Sequence, residues 1–253
     1  MAERSRVNRM QGVVLRRRDQ GEADRVLTVF TPDQGKRDLI AKGIRKTTSR
    51  KAGHLELFTH VSMLVAQART WDIVTEATAV ESFRHLREDL DSISRAAYVA
   101  ELVDVFGEAS DDSRNLWDLL LLALRELDEA EADPSLLLRW FELHLLSLAG
   151  FQPELFNCLG CGKPLEPVDN FLSLHAGGIY CPTCAENLSG VELISADVLK
   201  VLRHLQRSNW GAVRNLQVRS SNLQAAESIL YRYLVTVLER QLKSADFVRR
   251  LMR

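Results

Sequence analysis

From Met10 to about Val80 the apolar positions fall in short β-branched runs separated by turn residues. Residues 11–18 begin with Gln-Gly-Val-Val-Leu and end in three arginines, and residues 21–24 read as a turn. Residues 25–31 are rich in β-formers and stop at the Pro/Gly signal of residues 32–35. A third run covers residues 37–41. Residues 60–68 and 71–79 supply two more, with a turn around Arg69 and Thr70. Five short strands, with no helical period between the first three, predict a small barrel, and the OB-fold is the five-stranded barrel of that size.

After Val80 the spacing changes to three and four. Phe83, Leu86, Leu90, Ile93, Ala97, Ala100, Val103 and Phe106 predict one amphipathic helix, and residues 116–127 predict a leucine-dense second. Asp133-Pro134 is a helix start, with Asp as N-cap and Pro in the first turn, and Gly150 closes that helix. Another helix starts over residues 195–198 and runs to about Arg207. Ser221 to Gln224 fits a capping box that opens a last helix through Leu242. Between Gly150 and Gly190 neither period holds. The expected architecture is α+β and multidomain: an OB-fold barrel (1–80), an all-α helical domain in two parts (81–150 and 191–253), and an inserted four-cysteine zinc ribbon (151–190).

The chain has 253 residues, 46% hydrophobic and 26% charged, which suffices for a folded core and excludes global disorder. Its longest wholly apolar run, residues 119–124, is far short of a membrane span. No apolar segment follows the first residues, so a secretory signal is not expected. The net charge of −1 hides an asymmetry. Residues 1–54 carry 14 Lys/Arg against 6 Asp/Glu, whereas residues 81–133 carry 15 acids and 5 bases. A basic first part in an otherwise acidic chain points to an anionic partner.

That charge falls in three clusters on successive turns of the expected barrel: Arg16, Arg17 and Arg18; Lys36 and Arg37; and Lys42, Arg45, Lys46, Arg50 and Lys51. The last lies in a polar stretch expected to be flexible and suited to phosphate oxygens. Phe30, Phe58 and Trp71 are the aromatics nearby, and most should be core. Binding is therefore expected to be chiefly to phosphates and strongly salt-dependent.

Cys158-x-x-Cys161 and Cys181-x-x-Cys184, with 19 residues between the pairs, have zinc-ribbon spacing. Four thiolates close a tetrahedral shell with no open position, the arrangement of one structural Zn²⁺ per chain. Disulfides and a redox pair are the competing readings, and both fit less well: no export signal is seen, and a redox motif needs no second copy. His175, between the pairs, is a weaker substitute ligand. No phosphate-binding glycine loop or zinc-protease motif is present, and the six histidines are scattered. His144 reads as a satisfied core residue, His54 and His60 as polar surface beside the barrel, and Asp111-Asp112 as loop acids. No catalytic residue is assigned.

Gly12-Val13-Val14-Leu15, Gly21-Glu22-Ala23-Asp24-Arg25, Thr31, Gly35-Lys36 and Ala41-Lys42-Gly43-Ile44-Arg45-Lys46, followed by the two cysteine knuckles, run in an order that resembles the RecO family of bacterial recombination mediators. The resemblance covers essentially the whole chain. It implies a non-enzymatic, cytoplasmic, nucleoid-associated protein of DNA repair that binds single- and double-stranded DNA and anneals complementary strands. It implies work with RecR in loading RecA onto DNA coated by the single-stranded-DNA-binding protein, whose acidic tail the helical part recognises. Arg125 and Arg139, cations beside leucine-rich helices, are the candidates for that tail. The competing class is an adaptor whose basic barrel reads acidic protein tails; a nucleic-acid enzyme with an unrecognised site is a third reading.

Overall fold

The computed structural model describes residues 7–107, 113–239, 242 and 244; Asp111-Asp112 lies outside them. The chain forms two compact units that divide between Glu129 and Ala130.

In the first unit, β1 (Val7–Gln20), β2 (Asp24–Thr31), β3 (Gly35–Ala41), β4 (His60–Ala66) and β5 (Asp72–Glu81) close a barrel in the order β1-β2-β3-β5-β4. All five expected strands are present, and the barrel is OB-like. The first half of β1 pairs with β4 and its second half with β2, across an irregularity between Val14 and Arg16. The closure is a short parallel pairing, Leu39 opposite Asp72 and Ile40 opposite Ile73. Val14, Leu27, Val29, Leu39, Met63 and Val74 fill the interior, with Ile44 and Leu55 plugging it from the β3–β4 connection.

The helix expected from Phe83 begins later. Phe83 takes a left-handed backbone (φ 45°), a 3₁₀ turn covers His85–Arg87, and α1 spans Leu90–Phe106. Phe83 and Leu86 are buried without being helical, so their spacing carried an apolar signal that belongs to packing. The helix starts where Asp89 can cap it, its carboxylate accepting the Ser92 N–H at 2.8 Å. The second helix, α2, covers Arg114–Glu129. The Asp128 carboxylate accepts the Leu86 N–H at 2.8 Å, fastening the 3₁₀ turn to α2.

The second unit holds α3 (Pro134–Leu148), capped by Asp133 as expected, and α5 (Ala196–Arg207), capped by Ser195. The final long helix, α7 (Ser220–Leu238), departs from expectation at its start. Its N-cap position is Arg219, no side chain caps it, and Ser221 lies inside the first turn. Between α3 and α5 sits a three-stranded sheet in the order β7-β6-β8, formed by β6 (Asn170–Ser173), β7 (Gly178–Tyr180) and β8 (Glu192–Ile194). A short α4 (Pro182–Ala185) follows β7, and a short α6 (Trp210–Val213), capped by Asn209, follows α5. Side chains of α5 and α7 hold the ribbon by its backbone: Arg203 donates to the Leu155 carbonyl at 2.6 Å, Gln206 to Pro153 at 2.9 Å, and Tyr233 to Phe151 at 3.0 Å. No helix among the described residues is long and apolar enough to cross a membrane.

Candidate nucleic-acid interface and candidate metal centre

The basic stretch after β3 is fastened rather than flexible. Gly43 has φ 65°, a left-handed conformation that only glycine adopts without strain. Its N–H donates to the Asp24 carboxylate at 2.7 Å. The Arg45 N–H donates to the Ala23 carbonyl at 2.9 Å, and Ile44 between them is sunk in the barrel interior. The Gly-Glu-Ala-Asp turn and the Ala-Lys-Gly-Ile-Arg-Lys run thus form one hydrogen-bonded corner. Lys51 closes the stretch by donating to the Val74 carbonyl at 2.7 Å; burial lowers its pKa, opposed by the nearby Asp24.

The ten expected cations separate by what they touch. Arg16 and Lys36 both reach Asp104 on α1, at 3.6 and 3.4 Å, and help hold that helix on the barrel. Arg17 pairs with Glu56, Arg37 with Asp72 at 2.8 Å, and Arg45 with Asp19 at 3.4 Å. Arg18 lies over the Trp71 ring, 5.5 Å from its centroid. Lys42, Lys46 and Arg50 are exposed, and among the described residues none of them has a carboxylate partner. These three project from the fastened corner and its continuation with their charge unspent.

The two helical arginines are engaged within their own units. Arg125 forms a two-pronged pair with Glu81, both contacts at 2.8 Å, and remains half exposed. Arg139 is buried, bonded to Glu142 at 2.6 and 2.7 Å, with Glu227 of α7 at 3.6 Å. His60, expected on the surface, is buried: its Nδ1 meets Glu81 at 2.8 Å, its Nε2 meets Gln11 at 3.1 Å, and the Trp117 ring packs edge-on to it. A β-strand start reads as polar surface in sequence until a helix covers it. His144 is the satisfied core residue expected, its Nε2 3.2 Å from the Leu205 and Ser208 carbonyls; burial lowers its pKa.

The Arg125 hydrogen bond, working against burial and assisted by His60, holds the Glu81 carboxyl at about 2, below its ordinary 4.5. A depressed acid stabilises the fold above its unfolded pKa, and this contribution disappears as pH falls through the folded one. Arg125→Ala should therefore lower stability by about 1 kcal/mol at neutral pH, because the half-exposed pair is screened. The difference from the parent protein should shrink between pH 4.5 and 2. Urea midpoints measured across that window check it.

In the second unit all four cysteine sulfurs lie within 4.8 Å of one another. The first knuckle is built by backbone bonds: Cys158 N–H to the Lys163 carbonyl at 2.9 Å, Gly162 N–H to the Cys158 carbonyl at 2.8 Å, and Leu159 N–H to Ile179 on β7 at 2.9 Å. The second opens α4, the Ala185 N–H returning to the Cys181 carbonyl at 3.0 Å. Gly160 sits between the knuckles: a Cβ there would come within 2.9 Å of the Cys184 Cβ and 3.0 Å of its sulfur. Cys158 accepts N–H groups from Gly160 at 3.4 Å and Cys181 at 3.2 Å. Burial pushes the Cys158 thiol up, but these donors outweigh it and bring it to about 6. Hydrogen bonding to the neighbouring sulfurs and burial push Cys184 up to about 12. Four sulfurs this close cannot all ionise alone, so the donor set fits a soft divalent cation that would hold them as thiolates. His175 is exposed and is not part of the cluster.

Two family profiles match the chain: the N-terminal part of recombination protein O over residues 5–83, and its C-terminal part over residues 87–246. A DNA repair protein RecO from Roseiflexus sp. (strain RS-1) is 39% identical over 249 residues, covering 97% of this chain and 86% of that protein. One from Symbiobacterium thermophilum is 35% identical over 244 residues, 94% of this chain and 95% of that protein. One from Dehalococcoides mccartyi (strain ATCC BAA-2100 / JCM 16839 / KCTC 5957 / BAV1) is 34% identical over 234 residues, 92% of each. An OB-like barrel, a four-cysteine ribbon set among helices, and matches that together run nearly end to end place this chain in the RecO family of recombination and repair proteins.

Proposed function

We propose that this protein is a non-catalytic mediator of recombinational repair that grips DNA by its phosphates and presents it for pairing. The observation that carries the reading is the cation trio Lys42, Lys46 and Arg50. They stand on a corner immobilised by Asp24, Ala23 and Ile44, with no carboxylate to neutralise them among the described residues. A strand held there loses part of its phosphate repulsion toward a complementary strand, which is the physical basis for annealing. Arg45 and Lys51 adjoin the trio in sequence and Arg18 stands over Trp71, while Arg16, Arg17, Lys36 and Arg37 contribute field through pairs already formed.

The proposed partners follow the family: single- and double-stranded DNA, RecR, and the acidic tail of the single-stranded-DNA-binding protein, with RecA loading as the outcome. Both helical candidates are already paired with a carboxylate, and Arg125, half exposed beside Glu81, is the one an incoming carboxylate can reach; Arg139 is out of water. The ribbon is assigned one structural Zn²⁺ on Cys158, Cys161, Cys181 and Cys184, where it would keep the four thiolates together and brace β6–β8 against α5 and α7. The cytoplasm, at the nucleoid, is the proposed location.

The test is the triple variant Lys42→Glu, Lys46→Glu, Arg50→Glu, read by fluorescence anisotropy with single-stranded oligomers over a salt series. Each phosphate contact on single strands contributes about −0.7 to the log–log salt slope, so the slope should fall by about 2 units. Affinity should drop by roughly two orders of magnitude at low salt, with unchanged circular dichroism. An unchanged slope and affinity overturns the reading. Binding of acidic peptides without binding of DNA gives the protein to the adaptor class instead.

A further inference from the structure

The barrel's aromatic residues have unequal fates. Phe30 and Phe58 are buried, as expected of core. Trp71, just before β5, is not: its indole is partly exposed at the end of a connection whose residues 67–70 are open to solvent. The other three tryptophans, Trp117, Trp140 and Trp210, are all buried.

The surroundings of Trp71 are cationic. Arg18 lies over its ring at 5.5 Å and, unlike Arg16, Arg17, Arg37 and Arg45, has no carboxylate partner among the described residues. The adjacent acid, Asp72, is neutralised by Arg37 at 2.8 Å and also accepts the Ala68 N–H at 3.1 Å. Cross-strand pairing runs from Arg18 to Val26, Val26 to Ile40 and Ile40 to Ile73, so Arg18 and the residues after Trp71 end one continuous row across β1, β2, β3 and β5. A guanidinium held over an aromatic ring, with no carboxylate partner among the described residues, still has N–H groups to offer an anion.

Resting on the phosphate-binding reading above, we propose that Trp71 and Arg18 form a base-stacking subsite for single-stranded nucleic acid, the indole taking one nucleobase and the Arg18 edge the phosphate beside it. Every base has a π face, so the subsite is indifferent to sequence. Bases in a duplex are already stacked, so it discriminates strand state: single strands use it and duplexes do not. It adds to the phosphate grip one contact that rewards an unpaired base.

The probes are oligothymidylate and an abasic deoxyribose-phosphate strand of equal length, titrated into the intact protein at one low salt concentration. Intrinsic tryptophan fluorescence and anisotropy are both read. Because Trp71 is the partly exposed tryptophan, oligothymidylate should quench emission while the abasic strand should not, and the abasic strand should bind roughly 5- to 10-fold more weakly. Trp71→Ala should weaken oligothymidylate by the same factor and leave duplex affinity unchanged, and Trp71→Phe should restore most of the loss. Equal binding of the two strands, or a Trp71→Ala protein indistinguishable from the parent on oligothymidylate, overturns the stacking subsite. The Lys42, Lys46 and Arg50 reversals separate the two ideas. If they still abolish binding, phosphate gripping stands without stacking. If no strand binds the parent protein, both fall.

Discussion

Replacing Cys158 by Ala should remove the proposed zinc ion and unfold the ribbon. Structural zinc in small domains contributes on the order of 10 kcal/mol of apparent binding free energy that is also folding free energy. Cys158 is the ligand whose loss is felt most widely. It is the buried member of the four, it accepts two backbone N–H groups from opposite knuckles, and its own N–H and carbonyl close the turn through Lys163 and Gly162. Without the ion, three remaining sulfurs and the buried Leu155, Leu165, Leu172 and Ile179 must hold a sheet whose strands span only three or four residues. The expected result is a fall in zinc from one per chain to none by elemental analysis, several degrees lost in thermal unfolding, and new protease cuts within residues 151–190. Chelation of the parent protein should reproduce this. A variant that keeps its melting temperature and its protease resistance while metal-free would show that packing alone suffices. DNA affinity should survive, because the cation trio belongs to the other unit.

The barrel was legible because its strands announce themselves twice, by β-branched runs and by Pro/Gly turns at their ends. The Asp133 and Ser195 caps were legible for a similar reason: one short side chain decides where a helix starts. What stayed hidden was set by contacts distant in sequence. Nothing near Phe83 tells that its burial is not helical. Nothing near Ser221 tells that the helix begins one residue before it, without a cap. The parallel closure of β3 on β5 leaves no local mark, and β8, three residues long, is too short to show alternation. The candidate site divides the same way. Spacing alone brought the four cysteines together. The three basic clusters are equal in sequence, and only the structure separates cations spent on Asp104, Glu56, Asp72 and Asp19 from those left free. The pairings that matter there span 26 to 88 residues of sequence, from Asp19 with Arg45 to Arg16 with Asp104. Trp71 was visible as a residue but not as a surface.

Arg139→Ala should destabilise the second unit by about 3–5 kcal/mol, the usual cost of removing one partner from a buried ion pair. The arginine and Glu142 lie one turn apart on α3, both nearly inaccessible, in a two-pronged contact at 2.6 and 2.7 Å. Glu227 brings a second carboxylate from α7 to 3.6 Å. With Arg139 gone, Glu142 and Glu227 lose the guanidinium that faces them both, and Glu142 is nearly inaccessible to water. Urea unfolding at neutral pH reads the effect as a lower midpoint at unchanged slope. The same physics predicts the reverse for a matched change: Arg139→Met with Glu142→Leu and Glu227→Gln removes these three charges together and should recover most of the lost stability. That variant also decides what the arginine is for. If it folds well and its binding to acidic peptides is unaltered, the charge serves to lock α3 against α7, and recognition of an acidic tail falls to exposed cations such as Arg125. If it folds well and peptide binding is lost, the buried pair must open in the bound state, and α7 must move for it to do so.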